Sequence, residues 1–433
     1  MEKLSVLLKN KYKSNLIWSF TEKFLSLLSV LIIGVLLARY LGPEKFGTLS
    51  YSQSFVAMFS FLISLGLDGI IVREIVKNPQ KSSVIVSTSF LMKLLAFFSV
   101  ALIINLLSIS SNDSFEIKLI ILIISLNLLK EPFNVFASYF QAIVKIQKIS
   151  FVIIISKLVL IILKLLLIYL KYSLISFVIV DSAVLILAAI FYFILYVKHK
   201  NIKLKDILKF DRKISNKLLK DSWPLMISSG AILLYMRLDQ VMIKNMISLE
   251  ELGFYSVSVK IAESWYFIPM LISSVMYPLL IEAKKSNDLY MHRLKQLFFS
   301  CIMVSLTCSV LLFIFSDFII EILFGKLFSG SKITLSILSI GGIFVGMGYV
   351  NGKWMVIENF TKLSLIRNLL GLFINIFLNL YLIPKYGIIG AAISTVISLA
   401  FASYFFFLII KKTRKIFYLQ TKSIFYLNFR NST

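Results

Sequence analysis

Apolar residues run through the chain in twelve long blocks, near positions 17 to 38, 51 to 71, 84 to 108, 119 to 139, 150 to 170, 174 to 197, 223 to 246, 256 to 280, 297 to 315, 333 to 357, 363 to 383 and 388 to 410. Each approaches the ~20 residues that carry a helix across the ~30 Å hydrocarbon layer of a bilayer. Short polar breaks separate them, and lipid tolerates only helices or closed barrels because every backbone polar group must be satisfied internally. The pattern predicts an all-α polytopic membrane protein of about twelve transmembrane helices. Composition agrees: 59% of the 433 residues are hydrophobic and the mean hydropathy is +0.90, far above a soluble domain.

Charge changes the picture by its distribution. The formal net charge is +25, which in a soluble protein would point to nucleic acid. Here 29 of the 46 Lys and Arg residues fall in the breaks on the side of the termini and 7 in the alternate breaks. Basic residues collect on the cytoplasmic side, so both termini are expected there and no nucleic-acid partner is implied. No small-residue cleavage site follows the first block, and it reads as a retained helix. The longest outer break, Ser316 to Lys332, is too short for a domain. The longest of all, Lys198 to Ser222, is cytoplasmic, and its Leu204, Ile207, Leu208, Ile214 and Leu218 suit either a helix on the anionic inner leaflet or a solvated linker.

The halves repeat. Leu41 to Gly47 (LGPEKFG) and Ser248 to Ser256 (SLEELGFYS) match at an offset of 206, each after a block beginning near Trp18 or Trp223. Lys171-Tyr172 and Lys385-Tyr386 each precede the last block of a half. The expected organisation is a six-helix lobe at 1–200, a linker at 201–222, a second lobe at 223–410 and a basic tail at 411–433. An even number of helices gives both repeats one orientation, related by a pseudo-two-fold along the membrane normal. Two such lobes enclose a cavity able to open to either side, the architecture of a transporter rather than a scaffold.

Ten basic residues lie inside the blocks, each costing ~2.5–3.5 kcal/mol if it faced lipid at a helix centre. Lys244, Lys353 and Arg367 stand near block ends and are expected to snorkel to the headgroups. Lys157 and Lys164 share one helical face, and Asn127, Lys130, Asn134 and Gln141 form a polar stripe on the preceding block. With Lys93, Arg237 and Lys260 they form a candidate cationic cavity for an anionic substrate; pairing with Glu131 or Asp181 is the structural alternative. Glu22, Lys23, Asp68 and Arg73 fall at one inner depth, while Arg237, Asp239, Lys260 and Glu263 fall at an outer one. These two charged layers are candidates for gating or ion coupling, with Arg237 to Glu263 the natural pair; static interhelical pairing is the alternative.

Catalytic signatures are missing. No Gly-rich loop ends in Gly-Lys-Ser/Thr, no His-Glu-x-x-His occurs, and no metal or cofactor is expected. Cys301 and Cys308 read as packing, and His199 and His292 as solvated loop residues. Gly342, Gly346, Gly348 and Gly352 form small-residue repeats for close helix approach or a hinge. Pro132, Pro224, Pro269 and Pro278 are expected to bend helices.

The opening NLIWSFTEKFLSLLSVLIIGVLLARYLGPEKFGTLSYSQSF resembles Wzx-type polysaccharide flippases of the multidrug/oligosaccharidyl-lipid/polysaccharide (MOP) exporter superfamily. WPLMISSGAILLYMRLDQVMI, ELGFYSVSVKIAESWYFIP and LIPKYGIIGAAIST extend the resemblance over nearly the whole chain. It implies a V-shaped pair of lobes in a bacterial plasma membrane, moving an undecaprenyl-diphosphate-linked oligosaccharide outward by alternating access. It further implies ion or proton coupling, which Glu22, Asp68, Asp239 and Glu263 match by type and depth, and work beside a polysaccharide polymerase and other assembly proteins. The rivals are a drug exporter, whose cavity should favour acidic residues, and a lipid II flippase, usually with additional helices. A membrane polymerase or ligase is a rival of another class, which would carry a large external loop.

Overall fold

In the computed structural model, residues 2–201 and 207–424 are described, and every regular element among them is helical. Leu204 of the central linker and tail residues 425–433 lie outside the described residues. The chain runs α1 (Glu2–Ala57), α2 (Ser60–Ser64), α3 (Asp68–Lys77), α4 (Ser82–Ser110), α5 (Phe115–Leu126), α6 (Lys130–Ala142), α7 (Gln147–Tyr169) and α8 (Leu174–Lys200). It continues as α9 (Arg212–Met246), α10 (Leu249–Glu263), α11 (Phe267–Ala283), α12 (Asn287–Ile314), α13 (Ser316–Phe324), α14 (Ser331–Ile357), α15 (Thr361–Ala400), α16 (Phe406–Ile409) and α17 (Arg414–Ile424).

Ten segments are long and apolar enough to cross a bilayer. Two of them, Thr21–Lys77 with 57 residues and Lys362–Ile409 with 48, would measure about 85 and 70 Å if straight, far beyond one crossing. Glycine divides each: Gly42 at φ 74° before Pro43 in α1, and Gly387 at φ 59° after Pro384 in α15. Left-handed φ is easy for glycine, and proline withholds the N–H a continuing helix needs. With both segments divided, the crossings number twelve, as the apolar blocks require.

Three crossings are broken beside charged residues. Leu65 and Gly66 take left-handed φ just before Asp68, a 3-10 turn (Asn127–Leu129) precedes Lys130, and a turn separates Glu263 from Phe267. Freed backbone groups at membrane depth are tolerated only where protein or a wet cavity satisfies them. The breaks therefore fall where charged side chains can satisfy the freed backbone groups beside them.

Two compact units form: Met1–Leu41 with Ser52–Leu233, and Gly42–Tyr51 with Leu234–Thr433. In the first, α4 buries Phe90, Lys93, Phe97, Val100 and Ile104 on one face and exposes Leu95, Phe98, Leu102, Leu106 and Ile109 on the other. The exposed stripe is a lipid face. The core centres on Phe136, whose ring lies 5.2 Å from Phe90 and 5.0 Å from Tyr196. Ile207 and Leu218 of the central linker are buried in it, because α9 already begins at Arg212.

The second unit packs Leu294, Phe298, Met347, Trp354 and Phe407. Its α14 glycines work as close-approach sites: a Cβ on Gly342 would stand 2.2 Å from Trp265 Cζ2, and one on Gly346 2.1 Å from Ser305 Oγ. The two glycines related by the repeat, Gly47 and Gly253, meet each other's segments. A Cβ on Gly47 would lie 1.8 Å from the Leu249 carbonyl oxygen, and one on Gly253 2.1 Å from that of Pro43. Only hydrogen fits at either.

Candidate functional site

In the first unit, the helical spacing of α4 turns Lys93 inward with Phe90 and Phe97. It is wholly buried, and its Nζ donates to Asp68 Oδ1 at 2.5 Å while the Asp68 side chain stays 55% exposed. A buried ammonium without a counterion would cost several kcal/mol. Asp68, at the start of α3 where the chain resumes helix after its break, supplies one.

The largest group of charges in this unit spans α1, α6, α7 and α8. Lys164 on α7 reaches both oxygens of Asp181 on α8, at 2.7 and 2.8 Å. Two turns back on the same face of α7, half-buried Lys157 interacts electrostatically with Asp181, Lys130, Lys164 and Glu22. Glu22 accepts a hydrogen bond from Ser150 Oγ at 3.1 Å and feels Lys23, which is exposed. Neither Lys130 nor Lys157 hydrogen-bonds a carboxylate among the described residues, and Glu131 takes Asn134 at 3.3 Å instead. Four lysines against Glu22 and Asp181 leave the group with surplus positive charge.

Arg73 goes elsewhere. It contacts Glu74 at 3.1 Å and Asp221 on α9, while Lys217, one turn before Asp221, donates to Glu74 Oε2 at 2.6 Å. The four charges alternate in sign across α3 and α9. Glu22, Asp68 and Arg73, expected at one depth, thus have three different partners.

In the second unit, Arg237 on α9 donates from Nη2 to Glu263 Oε2 at 3.2 Å, the partner its depth indicated; the side chains are 30% and 27% exposed. Asp239, two residues on, is buried, and accepts hydrogen bonds from the Tyr255 hydroxyl, from Thr395 Oγ1 at 3.4 Å and from the Gln240 N–H at 2.8 Å. Lys260 lays its ammonium over the Phe46 ring at 4.7 Å, a cation–π contact with a fully buried face. Lys244 and Lys353 do the same over Tyr51 (4.8 Å) and Tyr277 (5.0 Å).

Arg367 does not snorkel. It is 7% exposed and turned into the unit. Its position near a block end misled the depth argument, whereas Asn368, Asn375 and Asn379, all buried at helical spacing, were the signal that this face of α15 is polar and internal. Tyr255 and Thr395 had no signal: they join Asp239 only through tertiary packing.

Broken, charge-bearing crossings in two helical units define a polytopic membrane protein, and solved structures of the MOP superfamily share its fold. An inward-facing MATE family transporter of that superfamily superposes with a TM-score of 0.69 at 14% identity, covering 91% of this chain and 95% of its own. The lipid II flippase MurJ in an inward closed conformation gives 0.70 at 19% identity, over 97% of this chain and 93% of its own. The chain belongs to the polysaccharide biosynthesis protein family, whose profile matches residues 12–284. The capsular polysaccharide biosynthesis protein CapF of Staphylococcus aureus is 26% identical over 405 residues, 91% of this chain and 98% of CapF. The probable low-salt glycan biosynthesis flippase Agl15 of Haloferax volcanii is 26% identical over 174 residues, 38% of this chain and 36% of Agl15.

Proposed function

We propose that this protein is a flippase that carries a lipid-diphosphate-linked oligosaccharide repeat unit across a bacterial plasma membrane by alternating access, with both termini in the cytoplasm. The observation that carries the reading is the surplus of positive charge around Lys130 and Lys157, both half-buried, with no carboxylate among the described residues bonded to either. A lysine is a mobile point charge suited to phosphoryl oxygens, and a diphosphate supplies the missing negative charge. Membership of the polysaccharide biosynthesis family and similarity to CapF along nearly its whole length favour a glycan cargo. No catalytic chemistry is assigned; the residues bind, release and gate.

In this reading Arg237 and Glu263 form an ion pair that opens and closes with the transport cycle, each side chain being about a third exposed and so able to exchange partners. Asp239, held by Tyr255 and Thr395, is the candidate for coupling to an ion or proton. A drug exporter of the same fold would carry cations, and the lysine surplus repels them. Deletion of the gene should make lipid-linked repeat units accumulate on the cytoplasmic face. The double variant K130Q/K157Q should restore membrane insertion but less than a tenth of outward transport. Units that reach the outside at the normal rate in the deletion strain would overturn the assignment.

A further inference from the structure

Arg367 is a buried guanidinium with no carboxylate to neutralise it among the described residues. Its Nε and Nη2 donate to the neighbouring Asn368 Oδ1 at 3.3 and 3.1 Å, and its Nη1, sealed from solvent, has no partner. Among the described residues no carboxylate pairs with it. Burying a charge this way costs several kcal/mol that packing alone does not require, since an apolar residue would serve better. Every other strongly buried basic side chain in the spanning segments has a carboxylate: Lys93 has Asp68 and Lys164 has Asp181.

One phenol interacts with it, and two more interact with that phenol. Tyr235 on α9 interacts electrostatically with Arg367, and Tyr235, Tyr266 and Tyr349 with one another. All three side chains are partly exposed, and none of their hydroxyls makes a hydrogen bond among the described residues. The nearest acid in this group, Glu263, is already bonded to Arg237. The two spare N–H groups of Arg367 Nη1 on α15 and the spare hydroxyls of Tyr235 on α9, Tyr349 on α14 and Tyr266 in the turn after α10 therefore belong to one electrostatic group in the second unit.

We infer that Arg367, Tyr235, Tyr266 and Tyr349 form a subsite in the second unit for an oxyanion, a phosphoryl or carboxylate group. A guanidinium fork matches either group, and phenol hydroxyls donate to the remaining oxygens. The inference rests on the flippase reading and deepens it by naming an anion-binding point in the second unit. It stands on binding alone, and its test is independent of transport.

The test uses the full chain in nanodiscs of phosphatidylcholine, which adds no net charge. Inorganic phosphate is followed by phosphorus line broadening, and glucuronate and glucose by saturation-transfer NMR. Wild type should bind at least one of the two anions tenfold or more tightly than glucose. R367Q should lose at least tenfold of that affinity, and R367K, which keeps the charge but not the fork, less. Binding of phosphate alone assigns the subsite to the lipid diphosphate, and binding of glucuronate alone to an acidic sugar. If R367Q fails to reach the membrane, Y235F and Y349F are measured instead, each expected to weaken anion binding about threefold with glucose unchanged. Anions bound no better than glucose, or equal binding by wild type and the variants, would overturn the subsite. Normal anion binding in a protein whose deletion leaves export intact would sink the flippase reading and leave the subsite standing.

Discussion

The two units treat membrane-buried charge in opposite ways. The first pairs its most deeply buried lysines with carboxylates, Lys93 with Asp68 and Lys164 with Asp181, and leaves only the half-buried Lys130 and Lys157 unbonded among the described residues. The second leaves Arg367 without a carboxylate and buries Asp239 against the Tyr255 hydroxyl rather than a bonded cation. A paired buried charge contributes to the fold, and an unpaired one strains it. The same class of substitution should therefore have opposite signs in the two units.

The largest expected effect is D68N, which strands the wholly buried Lys93 ammonium and should cost about 3–5 kcal/mol. R367Q, by removing a strained charge, should leave thermal unfolding in nanodiscs unchanged or raise it. If both variants destabilise by similar amounts, the contrast between the units is wrong. Next comes G253A. Its added methyl would lie 2.1 Å from the Pro43 carbonyl oxygen, and overpacking against backbone should cost about 3 kcal/mol, the top of the usual range. G352A, where a Cβ meets nothing within 4 Å, is the matched control and should be as stable as wild type or up to ~1 kcal/mol more stable, because alanine is the better helix former. An equal loss at both positions would show that the contact with the Pro43 carbonyl does not set the effect, since helix propensity favours both variants.

How far these features were legible depends on whether they belong to one helix or to several. The crossings follow from local hydropathy, which is why the apolar blocks were readable. Arg237 with Glu263 was also readable, because the two residues sit at one depth on adjacent crossings. Lys93 with Asp68 was not: Asp68 follows the Leu65-Gly66 break, and a broken helix destroys the depth count. Lys217 and Asp221 were missed as partners of Glu74 and Arg73 because a polar stretch reads as linker, whereas α9 continues through it as helix. Gly47 and Gly253 were recognised as equivalent, yet nothing in one dimension says that equivalent segments pack on each other.

The smallest effect on stability should come from the Arg237 and Glu263 pair, and it is the sharpest test of what the second unit's charges do. Both side chains are about a third exposed, so solvent screens them and either single reversal should cost under ~1 kcal/mol of fold. Transport should respond out of proportion. R237E and E263R each place like charges 3.2 Å apart in the wild-type geometry, which holds that contact open and should cut export at least tenfold. The double reversal restores the attraction and should recover most of the lost rate. Because the three variants fold alike, a difference in rate among them belongs to the cycle and not to expression. A double variant no faster than either single one would mean that the pair is static, and that the exchangeable charge in this unit lies at Asp239 instead.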